Sequence, residues 1–448
     1  MACFSNLLVL LAFWLSLLAP ATSTPLLSKA DVGKTSSMQF AHNADNPRHG
    51  PSEHLRTLKK FNIPIPERLQ QVVDEHNAKL AASNKAATDG GGVPTVSNSG
   101  DLMWLSPVGV GTPPQQLYVD MDTGSSDSWV FSTDTAKSGV AGQTLWDPSK
   151  SSTVVPIKNC TWSILYGDFS NSEGICYQDT FSLGELAIPG MTIESATKVS
   201  KMFTESKAMS GLVGLGWSSI KQTEPPQKSL LEFLPDVLAN PLFTVDFQHN
   251  STGTMNFGYI DHNLHTSDID YIGVDNSDGF WAVNSTGFAV GGVPLAYTFQ
   301  TPKTVILDTG STLFFAPDAA VDTYFDAIPG ANFSYEQYGY VVPCHAQLPD
   351  FIWEIGDATG KKVTGHVPGA YIPYQTVSDE LCYAGIQSLD TFTGLQGIFG
   401  DIFLKSGFFV FDIAGQKLGV ATKTLNTSNS KRDLRSELGA NMKVVELD

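Results

Sequence analysis

The chain has 448 residues, with 27 Lys/Arg against 45 Asp/Glu and a formal net charge of −18. An acidic body of that size repels phosphates, which excludes a nucleic-acid-binding class. The charge is uneven: residues 22–85 carry nine basic and six acidic side chains, a net of +3, leaving −21 on residues 86–448. Carboxylates stop repelling one another once protonated, so this composition suits an acidic medium, and equally a surface kept acidic for solubility.

Residues 1–21 hold no charge, contain the apolar run Leu7 to Leu15 and close on Ala19-Pro20-Ala21. They are expected to be a secretory leader, too short for a membrane anchor, so the mature chain is expected to be secreted. Residues 22–86 are polar, basic and broken by Pro47, Pro51, Pro64 and Pro66, with helical spacing of Leu69, Val72 and Val73 inside Glu67 to Leu80. His42, His49, His54 and His76 also lie here, either as acid-sensitive groups or as exposed polar residues. After Gly90-Gly91-Gly92 the chain turns to short alternating strands and turns such as Thr112-Pro113-Pro114, an all-β pattern. Short helices are expected at Leu230 to Ala239 and near Pro317 to Ile328, and a boundary near residue 262. Residues 425–448 lose the apolar periodicity and lack a hydrophobic end for a lipid anchor; Lys431-Arg432 there is a trimming site or part of an unprocessed tail.

Asp-Thr-Gly occurs twice, at Asp122-Thr123-Gly124 and Asp308-Thr309-Gly310. An apolar run precedes each, and a hydroxyl pair follows: Ser125-Ser126 and Ser311-Thr312. Leu212-Val213-Gly214 and Ile398-Phe399-Gly400 end 92 residues after their respective Asp. Self-similarity at a fixed offset marks a duplicated fold, in which each half supplies one carboxylate. Two Asp side chains brought together share one proton and titrate as a unit. The ionised member can activate water while the protonated member hydrogen-bonds a carbonyl oxygen, the chemistry needed to hydrolyse an amide. Glycine after each Thr permits a tight loop where a Cβ would clash. No His-Glu-x-x-His pattern supports metal-dependent hydrolysis, so neither metal nor cofactor is expected.

On these motifs the chain, from about Asp101 to Thr424, resembles the pepsin-like aspartic proteases, most closely the secreted fungal acid proteases. The resemblance implies an all-β, bilobal fold with two pseudo-twofold-related lobes, 87–262 and 263–424, and a cleft between them. It implies a monomeric endopeptidase acting on extended peptides with hydrophobic residues around the scissile bond. It makes Asp122 and Asp308 the catalytic pair, Ser125 and Ser311 the hydroxyls that hold them, and Gly214 and Gly400 the packing beneath their loops. It makes Trp162 to Ser170 a flap with Tyr166, Gly167 and Asp168 at its working end, Tyr166 being held by the Trp129 indole. Phe203 and Leu212 line the pocket before the scissile bond, Thr312 borders the site, and Asp168 suggests tolerance of lysine in that pocket, weakened by Phe169 beside it. Residues 22–86 become an inhibitory prosegment, from which Lys79 or Lys85 is expected to reach the dyad.

Cys3 leaves with the leader, and Cys160, Cys176, Cys344 and Cys382 then allow three pairings or free thiols. The resemblance implies Cys344–Cys382, and Cys160 and Cys176 flank a hairpin across which they can pair. Sequons at Asn159, Asn250, Asn284, Asn332 and Asn426 permit glycosylation. A silent binding protein of the same fold would carry a damaged motif, and a two-carboxylate glycosidase would not predict the matched repeats.

Overall fold

The computed structural model describes residues 33–39, 41–42, 48–90, 104–165, 171–204, 206–249, 251, 253–292, 297–389, 394–427 and 445–447. The leader, Gly91-Gly92, Tyr166, Gly167, Asp168, Asn250 and Lys431-Arg432 lie outside them. Among the described residues, no helix is long and apolar enough to cross a membrane.

Strands dominate, and the two Asp-Thr-Gly motifs sit at corresponding places in two large sheets. Strand Gln115–Asp122 begins with buried Leu117 between more exposed Gln116 and Tyr118, and from Val119 to Asp122 it is buried on both faces as it enters the core. It pairs in parallel with Gly211–Gly214, with Asp122 opposite Gly214. In the second sheet Tyr297–Leu307 pairs in parallel with Gly397–Phe399, setting Leu307, which precedes Asp308, opposite Phe399. The repeated offset of the sequence is therefore a repeated strand pairing. A third sheet of six strands takes Leu242–Asp246 and Thr254–Phe257 from the first half and Asp270–Gly273, Phe408–Asp412 and Lys417–Ala421 from the second. Its edge is Ser36–Gln39, antiparallel to Thr254–Phe257. Phe243 stacks on Phe411 within it at 4.7 Å, and the Trp281 indole donates to the Leu215 carbonyl at 2.8 Å. The last short strand, Val445–Leu447, runs parallel to Tyr297–Phe299.

Four helices matter here. Helix α1 (Gly50–Lys60) was not expected, because Pro51 read as a breaker; it occupies the first turn, where its missing N–H costs nothing. Helix α2 (Glu67–Gly90) runs ten residues beyond the expected Leu80. Helices α3 (Leu230–Val237) and α4 (Asp318–Asp326) fall within the expected spans, each burying one stripe: Leu230, Leu231, Leu234 and Val237 in α3, Ala320, Val321, Tyr324 and Phe325 in α4. His49 and His54 are 8% and 3% exposed, which overturns the exposed-polar reading for that pair. Their burial follows from α1 lying against the body, with Gly50 and His54 both against Tyr383.

Cys160 pairs with Cys176 and Cys344 with Cys382, at Cα separations of 5.4 and 5.0 Å. Of the sequons, Asn159, Asn332 and Asn426 are exposed and Asn284 is half-buried. The sequence separations of 16 and 38 residues correspond to about 3 and about 4 kcal/mol of loop-closure stabilisation. Replacing each cystine by a Ser pair should lower the urea midpoint at pH 5 in that order, and an unchanged midpoint for both would show that the bridges constrain nothing.

Candidate active site

The two Asp-Thr-Gly loops meet back to back, and their threonines lock them. Thr123 N–H donates to Thr309 Oγ1 at 3.0 Å, and Thr309 N–H donates to Thr123 Oγ1 at 2.9 Å. Each hydroxyl then donates to the other half: Thr123 Oγ1 to the Leu307 carbonyl at 2.8 Å, Thr309 Oγ1 to the Met121 carbonyl at 2.5 Å. All four bonds are buried, so neither loop can shift without orphaning a polar group. Sequence reading gave these threonines no role, although their recurrence in both motifs was a visible signal.

The carboxylates come together directly above this lock. Asp122 is 1% exposed and Asp308 is fully buried. A Cβ on Gly124 would fall 2.4 Å from Asp308 Oδ1, and a Cβ on Gly310 would fall 2.4 Å from Asp122 Oδ1, so any side chain at either position would collide with the opposite carboxylate. Gly124 N–H donates to Asp122 Oδ1 at 2.8 Å and Gly310 N–H to Asp308 Oδ1 at 3.0 Å. Gly214 and Gly400 pack under the loops, where a Cβ would meet Ser126 and Ser311 backbone atoms at 2.4 and 2.3 Å.

The hydroxyls break the symmetry. Ser125 Oγ donates to Asp122 Oδ2 at 2.6 Å. Ser311 Oγ instead lies 3.4 Å from Thr57 Oγ1, and Asp308 Oδ2 accepts from Lys60 Nζ at 2.9 Å. Lys60 Nζ also reaches Asp122 Oδ1 at 2.6 Å and Asp308 Oδ1 at 2.8 Å. The lysine at the dyad is thus Lys60, the last residue of α1, and not Lys79, which is exposed on α2; the Lys85 side chain lies outside the described part. The expectation failed because α1 itself was not read as a helix.

Electrostatics follow the geometry. Burial alone would raise Asp122, but the Lys60 ammonium, with hydrogen bonds from Lys60 and Ser125, holds it below the ordinary carboxylate value. Burial pushes Asp308 up to about 6, Lys60 opposing and Asp122 adding to the rise. Burial opposes charge on Lys60, yet the two carboxylates raise it above its usual value. Further along α1, Arg56 lies 3.5 Å from Asp120, which burial pushes up to about 7 against the pull of that guanidinium. Glu53 Oε2 accepts from Thr312 Oγ1 at 3.2 Å. Positions 53, 57 and 60 share one face of a helix, and that face is laid on the cleft.

Beside the dyad is a cavity of about 400 Å³ whose lining includes Ser125, Asp127, Trp129, Phe203, Leu212, Ile220 and Gln222. Trp129 is fully buried and meets Phe203 edge-on at 5.0 Å. In the hairpin of Val155–Leu165 and Asn171–Leu183 the last described pair is Leu165 opposite Asn171, and residues 166–170 lie outside the described part. Among the described residues no cluster of His, Cys, Asp and Glu could hold a metal ion.

The family model described as Eukaryotic aspartyl protease matches residues 103–423. The chain belongs to that family. Endothiapepsin of Cryphonectria parasitica is 39% identical over 405 residues, covering 89% of this chain and 93% of that protein. Aspergillopepsin-1 of Aspergillus oryzae is 37% identical over 377 residues, 84% and 89% of the two chains. Penicillopepsin-1 of Penicillium rubens is 36% identical over 364 residues, 81% and 88%. The protein is a pepsin-like aspartic endopeptidase acting on peptide substrates, with the all-β fold of its family.

In this aspartyl protease the threonine lock should be the most sensitive part of the site. Thr309→Val keeps the volume but strands the Thr123 N–H and the Met121 carbonyl, a loss of roughly 2–4 kcal/mol. Urea denaturation would read that loss, and Thr309→Ser should recover most of it; a valine variant as stable as the parent would show that the lock carries no energy.

Proposed function

We propose that Asp122 and Asp308 are the catalytic dyad of a secreted endopeptidase made as a zymogen and active in acid. The observation that carries this is the meeting of two buried carboxylates on two matched loops, both held by one lysine of the preceding segment. With Lys60 withdrawn, a water between the carboxylates would attack the peptide carbonyl carbon, giving its proton to the ionised Asp. The protonated Asp would hydrogen-bond the developing oxyanion, and as the C–N bond breaks a proton would pass to the leaving nitrogen. Ser125 would hold Asp122 in plane, and Ser311 would do the same for Asp308 once Thr57 has gone. Phe203, Leu212 and Trp129 favour an apolar side chain before the cut. Tyr166 and Gly167 would close over the substrate, and Thr312 would border it after Glu53 leaves.

The same contacts argue for residues 22–86 as an inhibitory prosegment ahead of lobes 87–262 and 263–424, with 425–448 as a tail. Asp122 is depressed by Lys60, so its share of latency is full above the ordinary Asp value of about 3.9 and disappears as pH falls through the depressed value. Export by the leader and a monomeric state complete the proposal.

The test is hydrolysis of an unfolded protein from pH 2 to 7, with and without a statine-type inhibitor. Acid-peaked, inhibitor-sensitive cleavage is expected, falling at least roughly 10²–10⁴-fold in Asp308→Asn. Lys60→Ala should become active at higher pH than the parent; a parent that never cleaves after prosegment removal, or an active Asp308→Asn, would refute the dyad. Lysine before the cut should be accepted less well than Phe or Leu through Asp168, and equal lysine turnover by the parent and Asp168→Ala would remove that role.

A further inference from the structure

Three buried ionisable groups grip the Asp122 loop without taking part in the reaction above. Asp127 follows the first motif, Glu194 comes from strand Leu186–Lys198, and Lys221 follows the turn Ser218–Ile220. Asp127 is 3% exposed and Glu194 fully buried, and the Lys221 side chain is 2% exposed. Lys221 Nζ donates to Glu194 Oε1 and, at 3.3 Å, to the Ser126 carbonyl. Glu194 Oε1 also accepts from Ser128 N–H at 3.2 Å, and Asp127 Oδ1 accepts from Gln222 N–H at 2.8 Å. The cluster therefore joins the loop after Asp122 to segment 220–222. That segment supplies Ile220 and Gln222 to the cavity beside the dyad, which Trp129 also lines.

The charge count makes this more than an ion pair. Two buried acids share one cation, and unpaired buried charge is costly. No N–H or hydroxyl among the described residues donates to Glu194 Oε2. One proton on Asp127, the neighbour of the Ser128 N–H that Glu194 accepts, would resolve both problems: it cancels the surplus charge and offers the missing donor. Burial, and then Glu194, push the Asp127 carboxyl well above its ordinary range, with Lys221 and the Gln222 N–H pulling the other way.

We propose that Lys221, Glu194 and Asp127 are positioning residues, a clamp of one cation and one proton that fixes the Ile220–Gln222 wall of the substrate cavity against the Asp122 loop. The proposal rests on the Asp122/Asp308 reading of the site. A carboxyl raised in the folded state contributes stability that is complete below its unfolded value and lost as pH rises through its folded value. The clamp is thus closed in acid and weakens as pH rises through the raised Asp127 value. Asp127→Asn supplies a neutral donor to Glu194 at every pH, whereas Lys221→Met leaves Glu194 without its cation.

The experiment follows peptide hydrolysis and tryptophan fluorescence of the activated enzyme after incubation from pH 3 to 9. Lys221→Met should raise KM about 3–10-fold in acid with kcat within about twofold, the signature of lost ground-state positioning. Its upper pH limit of folding should move down by about one pH unit or more, and that of Asp127→Asn should move up. Lys221→Arg should recover both properties. If neither Lys221→Met nor Asp127→Asn moves the limit, or both move it the same way, the clamp is refuted. Should Lys221→Met fail to fold, the direction of the Asp127→Asn shift decides alone. Fluorescence reads the limit without catalysis, so a failed dyad assignment, seen as an inactive parent, is distinguishable from a failed clamp.

Discussion

Two carboxylates buried side by side repel each other, and a protein that keeps them together must oppose that repulsion with rigid structure. Here the opposition is the reciprocal threonine lock, in which Thr123 and Thr309 each donate and accept across the junction. Everything else at the site is placed relative to it. The glycines after the threonines let the opposite carboxylate approach within a distance no side chain would allow. The parallel pairings of Gln115–Asp122 with Gly211–Gly214, and of Tyr297–Leu307 with Gly397–Phe399, hold the strands that deliver the loops.

Helix α1 solves the electrostatic problem in the other way, by supplying a cation. Lys60 sits between the carboxylates, Arg56 faces Asp120, and Thr57 takes the hydroxyl of Ser311. The residues of one helical face thus satisfy polar groups on both halves of the cleft at once. Such a segment binds tightly only while the carboxylates stay charged, so the acid that suits the proposed chemistry also weakens the contact that opposes it.

A second balance of charge lies beneath the first. The Lys221, Glu194 and Asp127 cluster touches no reacting atom, yet it ties the loop carrying Asp122 to a wall of the adjoining cavity. Both clusters place two acids against one lysine. They differ in that Lys60 arrives on a separate helix, while Lys221 is built into the body of the fold.

Much of the site was legible because duplication writes it twice: an Asp-Thr-Gly motif and a matching glycine at a constant offset need no structure to be noticed. The four helix-forming or strand-forming cues that depend on local periodicity, α3, α4, the strand before Asp122 and part of α2, were legible for the same local reason. Pro51 misled because a proline's effect depends on whether it falls in the first turn or the interior of a helix, which neighbouring residues did not reveal. The identity of the lysine at the dyad, the seat of Ser311 against Thr57, and the gathering of Asp127, Glu194 and Lys221 were invisible in sequence. Those contacts join residues from 27 to 254 positions apart, and chain order carries no direct record of which distant side chains share a dielectric environment. Sequence alone determined the chemistry available to this protein, through two carboxylates and their turns. Tertiary structure decided which charges meet them, because burial and distance, rather than residue type, set the energy of a charge.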